Sequence, residues 1–373
     1  MLTIFDLYKR FLADSGKPVS LETFIAYLQR LEDTDAVDVL AFHSIGQVPK
    51  PEAFVLLDPT RVDAYASALL VAAKDEPDGP GHLLEARVRS GDFKLADDER
   101  PGDKAAEKHL LCFVMENLFT RDLAMRETIK GQDYVVFPAQ CTRELKFSGK
   151  GVFGVACGFA GPVKSIYATL IAQLAHYEGF SKRDFYENAA AYSADHHGRC
   201  LVRLTDNGNG TGELEVSFEE DTPTTVRQGF LEFVAKHLEA KSKPDSVTRR
   251  HAHHCKHCGN LFEDRIVKRR LERKERNLPC PDCEKHTPLV DLFGAPTEDS
   301  SAVAEQMDAN AKSGRQRITA EWVIKAKEAE GKYDVFLSHN SKDKAAVEDL
   351  VRKLKSLGIR PCWTSGIWCR GKP

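Results

Sequence analysis

Two Cys-x-x-Cys units constrain this chain more than any other feature. Cys255-Lys256-His257-Cys258 and Cys280-Pro281-Asp282-Cys283 stand 21 residues apart. Each unit makes a tight knuckle whose backbone amides can point at sulfur, and two knuckles supply the four thiolates of a closed tetrahedral zinc site. Cys255, Cys258, Cys280 and Cys283 are therefore the expected ligands. With four thiolates no position stays open for water, so the expected zinc is structural, stapling a ribbon too small to bury its own core. Histidines 251, 253, 254, 257 and 286 crowd the same stretch and read as solvated loop residues, although any one could replace a cysteine.

The chain has ten cysteines, but only these four pair in this way. The N-terminus, Met1-Leu2-Thr3-Ile4-Phe5-Asp6, lacks the basic region and cleavage site of an export signal, so metal is favoured over disulfides. No apolar run reaches the length of a membrane span. A cytoplasmic protein with no membrane partner is expected. Cys112, Cys141, Cys157 and Cys200 sit in apolar contexts and read as buried structural thiols. Net charge is −3, which gives no global nucleic-acid signature. Residues 249–276 carry ten Lys/Arg against four Asp/Glu, but Phe262 is the sole aromatic there, so stacking recognition is poorly supported and nucleic acid is disfavoured as a partner.

The pattern elsewhere predicts a multidomain α+β chain. Residues 3–13 and 20–31 read as amphipathic helices, the second capped by Ser20 with Leu21, Phe24, Ile25 and Leu28 inward. A strand over 52–57 and a helix from Asp58-Pro59-Thr60 to Lys74 follow, compatible with a winged-helix-like region over 1–130. Residues 131–245 read as an antiparallel α+β sandwich. It would comprise a strand at 133–138, a strand ending near Phe159, a helix opened by Gly161-Pro162, a hairpin (199–205 and 211–218) around Asp206-Asn207-Gly208-Asn209-Gly210, and a helix over 222–241. The zinc ribbon occupies 246–295. Residues 296–330, rich in Ala, Glu, Gln, Lys and Ser, read as a helical linker that buries little.

From Gly331 the chain reads Gly-Lys-Tyr-Asp-Val-Phe-Leu-Ser-His-Asn-Ser-Lys-Asp-Lys. Tyr333 to His339 is a short strand. Val347, Leu350, Val351, Leu354 and Leu357 form one helix face, Gly358 stops that helix, and Ile359 begins a second strand. This wording resembles the opening of a TIR domain, with Ser338, His339, Asn340, Ser341, Lys342 and Asp343 matching the family's turn. The resemblance covers residues 331–373 and implies a partial flavodoxin-like α/β fragment. It implies NAD contacts at Ser338, His339 and Asn340, and TIR–TIR association. The family's catalytic glutamate lies in a later helix with no counterpart in these residues, so no catalytic residue is assigned and NAD is expected only with a complete TIR domain. Residues 362–371 depart from the family loop. Codons chosen for them, read one frame over, give an acidic Trp-containing loop ending in Pro-Gly, and a frameshift near Pro361 is the expectation drawn from this. The Gly366–Lys372 segment mimics a P-loop but lacks its Ser/Thr and helix.

The central region further resembles the winged-helix and COR-like segments of bacterial NTPase switch proteins with TIR effectors. The function expected is the regulatory or scaffold part of a TIR-effector signalling or defence protein, in contact with an upstream sensor or NTPase. The alternatives are an NAD hydrolase and a zinc-ribbon nucleic-acid binder.

Overall fold

The computed structural model describes residues 1–34, 36–40, 51, 53–77, 81–142, 152–177, 180, 182–193, 198–293, 298–337 and 343–362. It is an α+β structure whose contacts fall into two compact units. One comprises 1–76, 82–136 and 315–373, the other 77–81 and 137–314.

The first unit opens with β1 (Leu2–Thr3), α1 (Ile4–Ser15) and α2 (Leu21–Glu32). Thr3 and Ser20 cap the helices, accepting hydrogen bonds from the Asp6 and Thr23 amides, and Gly16 ends α1 in the left-handed region at φ 62°. Phe24, Ile25 and Leu28 of α2 pack with Ile4, Val39 and Val55. The last two come from β2 (Asp38–Leu40) and β3 (Phe54–Leu56), which with β1 form an antiparallel sheet in the order β1-β3-β2. α3 (Thr60–Lys74), β4 (His82–Leu84), α4 (Glu85–Ser90) and α5 (Lys104–Thr120) follow. β5 (Met125–Ile129) and β6 (Gln132–Val136) form a hairpin through Lys130 and Gly131, at φ 50° and 79°. Two positive φ values in a row make the tight reversal that matches strand twist. The order β4-β6-β5 is a sheet of its own, so the 133–136 strand pairs here and not in the sandwich it was expected to open.

The second unit is built on a six-stranded antiparallel sheet. Its strands are β7 (Phe153–Ala160), β8 (Lys182–Phe185), β9 (Ala189–Ser193), β10 (Arg199–Asp206), β11 (Thr211–Phe218) and β12 (Thr248–His251), in the order β12-β7-β11-β10-β9-β8. Alternation sorts the faces. Val155, Cys157, Val202, Leu214 and Val216 enter the core with α6 (Val163–Ala175) and α7 (Thr224–Lys241), while Glu213, Glu215 and Arg250 turn to the polar side. The hairpin around Asp206–Gly210 is the turn the sequence predicts, with Gly208 and Gly210 at positive φ. Cys112, Cys141, Cys157 and Cys200 are all buried, and burial pushes Cys141 and Cys157 up to about 11 and Cys200 up to about 12. Such thiols are unreactive near neutrality.

His237 of α7 is buried in this core. Its Nε2 lies 3.0 Å from the Ile166 carbonyl and its Nδ1 2.9 Å from Gln173 Oε1. Burial holds it down at about 4. Unfolded, the imidazole titrates near 6.5, so below that pH the unfolded chain binds the extra proton. Stability is full above about pH 6.5 and is lost as pH falls towards about 4. A loss of about 3 kcal/mol is expected from this group. Urea melts of His237→Gln against the parent at pH 7 and pH 4.5 should show a flatter pH dependence in the variant.

Beyond β12 come α8 (Asp264–Glu272) and the hairpin of β13 (Asn277–Pro279) and β14 (His286–Pro288). α9 (Glu298–Ala329) belongs to the second unit up to Gly314 and to the first from Arg315. The expectation that 296–330 bury little is corrected. Ala304, Met307 and Ala311 are buried, as are Ala320, Trp322, Val323, Ile324 and Lys327. Ala304, Met307 and Ala311 step by three and four, as do Ala320, Val323 and Lys327, so each half of α9 presents a buried stripe that its polar composition conceals. Trp322, 2% exposed, meets Phe119 edge-on and carries the Arg89 guanidinium 3.7 Å over its ring. The buried Glu85 carboxylate accepts from Arg89, Arg126 and Lys325.

The described chain closes with β15 (Val335–Phe336), α10 (Lys344–Ser356) and β16 (Pro361–Cys362). β15 and β16 are parallel, with Val335 opposite Pro361 and Phe336 opposite Cys362. Parallel neighbours need a crossover, and α10 lies between them in the chain. Val351 is buried, while Leu350 and Leu357 are exposed. No helix among the described residues is long and apolar enough to cross a membrane.

Candidate metal centre

Hydrogen bonding shapes the two cysteine knuckles alike. The Gly259 amide donates to the Cys255 carbonyl at 2.8 Å, and the Glu284 amide to the Cys280 carbonyl at 2.9 Å. Cys255 N returns to Asn260 O at 2.8 Å, and Cys280 N to Lys285 O at 3.0 Å. The residue after each second cysteine is left-handed, Gly259 at φ 79° and Glu284 at φ 62°. Glycine takes that conformation freely, whereas glutamate carries a Cβ that disfavours it. Glu284→Gly should therefore stabilise the second knuckle by about 1 kcal/mol. A higher Tm for the metal-loaded variant checks this, and a lower one rules it out.

The knuckles bring Cys255, Cys258, Cys280 and Cys283 together, with all four sulfurs within 4.8 Å of one another. Cys255 and Cys283 Sγ are 3.6 Å apart, Cys258 and Cys280 Sγ 3.5 Å. A tetrahedral zinc with bonds of about 2.3 Å has sulfur–sulfur edges of about 3.8 Å, so the cluster could hold a metal ion such as zinc. Cys255 and Cys280 are buried, Cys283 is half-buried and Cys258 exposed. Burial raises Cys255, but the Thr287 hydroxyl and the Cys258 and His257 amides outweigh it and hold this thiol down at about 6.

The surroundings fix the cluster. Cys255, Phe262, Val267, Leu278, Cys280 and Leu289 share a small core with Leu271. Thr287, fully buried, accepts from the Lys256 amide at 3.3 Å, and its hydroxyl helps lower the Cys255 thiol. Sequence reasoning did not find Thr287, because a lone threonine in a short strand carries no motif. His254 Nε2 lies 2.7 Å from Glu215 Oε1 and ties the first knuckle to β11. Burial lowers His254, and the Glu215 carboxylate more than offsets it, so the net direction is up.

The histidines correct one expectation. His251 and His253 are buried instead of solvated, with His253 Nε2 2.9 Å from the Val290 carbonyl. They lie where the chain leaves the sheet, and their rings pack edge-on at 5.4 Å. His257 and His286 are exposed, and no histidine joins the four-sulfur cluster among the described residues. Ser338, His339 and Asn340, expected from resemblance to contact NAD, lie outside the described residues.

No protein-family model and no curated protein matches the chain. What marks the site is its geometry: four convergent sulfurs and a small core built around them.

Proposed function

We propose that this chain is the regulatory and scaffold part of a TIR-effector signalling protein. In this reading 331–362 form the opening strand–helix–strand unit of a TIR-like fold, the 1–130 region is winged-helix-like, the sandwich is COR-like, and the four-cysteine ribbon holds a structural zinc. The observation that carries it is the parallel β15–β16 pair across α10, the one parallel pairing among the described strands. Within the stretch expected to open that unit, Val335–Phe336 are strand.

A scaffold role fits how the unit is held. Lys327 of α9, 2% exposed, donates to Asp334 Oδ2 at 2.8 Å and to the Gly358 carbonyl at 2.9 Å. Arg360 donates to the Lys327 and Lys332 carbonyls, and its amide donates to Asp334 Oδ2 at 2.7 Å. These bonds dock the strand–helix–strand unit on α9. They leave Phe336, Leu350 and Leu357 exposed, an apolar set suited to another TIR-like unit.

NAD is the probe that separates this reading from an NAD hydrolase. The purified chain should leave NAD intact and should self-associate at rising concentration in sedimentation velocity. Leu350→Asp with Leu357→Asp should abolish the association. Heat-labile release of nicotinamide would place the chain among hydrolases. A monomer at every concentration, unchanged by the substitutions, would remove the scaffold reading.

A further inference from the structure

α8 carries a charge pattern that the four-cysteine centre does not use. From Asp264 to Arg276 the chain holds seven Lys or Arg against three Asp or Glu. Two of these cations are taken. Lys268 pairs with Asp264 at 2.8 Å, and Arg270 with Glu275 at 2.6 Å and the Asn277 carbonyl. Arg265 and Arg269 of α8 and Arg273 at its C-cap are exposed and have no ion pair or side-chain hydrogen bond among the described residues, and the same holds for Arg276 beyond the cap. Steps of four residues fall on one helix face, about 6 Å apart along the axis. Val267 and Leu271 occupy the opposite side, packed into the small core of the ribbon. Like charges four apart weaken a helix by a few tenths of a kcal/mol per pair. This ladder thus costs α8 stability and returns no ion pair or side-chain hydrogen bond among the described residues.

We propose that the arginine ladder of α8 is a contact surface for the phosphate backbone of double-stranded nucleic acid. Three guanidinium forks at a regular rise suit a regular row of phosphates, each able to take two parallel N–H···O bonds. Phe262, the aromatic just before α8, is buried, so no ring is offered there for stacked single-stranded bases. Contacts to phosphate alone position a duplex without reading its sequence. Sparse aromatics, which argue against stacking recognition, do not bear on this mode. A membrane surface fits less well: Ile266 is the sole large apolar residue exposed on α8, and interfacial helices need a broad apolar face. The inference stands independently of the scaffold reading.

The test uses the full, metal-loaded chain and a short fluorescein-labelled DNA duplex of arbitrary sequence, read by anisotropy over a range of salt. Binding should weaken with salt at a log–log slope of about −3, the mark of three to four released counterions. Arg269→Glu with Arg273→Glu should flatten that slope by about two units. It should also weaken binding by roughly tenfold per arginine. Arg269→Lys with Arg273→Lys should keep most of the slope. Arg352→Glu with Lys355→Glu, a reversal of exposed cations on α10, should change nothing. Bound metal and circular dichroism report whether each variant folds. Absence of binding at low salt overturns the proposal, as does full binding by the folded double reversal. Arginine-dependent binding to phosphatidylserine vesicles without duplex binding also overturns it, in favour of a membrane.

Discussion

Stripping any bound metal under reducing conditions should unfold the ribbon while β10 and β11 stand. The expected release is about one zinc per chain. Structural zinc contributes about 10–16 kcal/mol to the folding of small zinc modules, far more than the few residues of this ribbon core can supply. Without it, Cys255 and Cys280 are buried thiols in a core of only a few apolar side chains. Hydrogen exchange should become fast across 255–289 and stay slow in β10, β11, α6 and α7. Cys280→Ser, at a buried position, should reproduce the metal-free state, and re-adding zinc should rescue the parent but not the variant. A ribbon that keeps full protection after chelation would show that packing alone holds the knuckles.

The second large effect centres on Lys327. Its ammonium is enclosed between Asp334 and the Gly358 carbonyl, and the Asp334 carboxylate also accepts from the Arg360 amide. Lys327→Met removes the charge but keeps much of the volume. It leaves Asp334 with a single backbone donor in a partly buried site, and breaking such a pair costs about 3–5 kcal/mol. The loss should be local. Residues 331–362 should become sensitive to limited proteolysis while α3 and α5 keep their protection. Asp334→Asn should be milder, since an amide still accepts from Lys327 and Arg360. If Lys327→Met leaves the protease pattern unchanged, the docking of this unit does not depend on the buried lysine.

What could be read from the sequence follows from how local each signal is. α2 was legible because Ser20 supplies the cap and Phe24, Ile25 and Leu28 the period within one short window. The β10–β11 hairpin was legible because alternation and a glycine-rich turn sit together. The four cysteines were legible because their geometry is set by bonding rules and not by the rest of the fold. The β4-β6-β5 sheet was not, because β4 has three residues and its partner lies about 50 residues downstream. The burial of α9 was hidden because alanines carry much of its inward stripe and a lysine closes it. Thr287 and the His254–Glu215 tie needed the sheet in place before they could be seen.

Strand order has a consequence for solubility. β12, the strand that leads into the ribbon, forms the edge of the sheet beside β7. β7 reads Phe-Gly-Val-Ala-Cys-Gly-Phe-Ala, eight residues without a charge, and it is an interior strand only while β12 covers it. A long, flat, uncharged edge is a template for intermolecular pairing. β12 is held at its ribbon end by the His251 amide on Asp264 and by the His253 and His254 contacts. With a metal bound, the four sulfurs would act at a distance as a guard on an aggregation-prone strand, and clumping under oxidation or chelation would begin there.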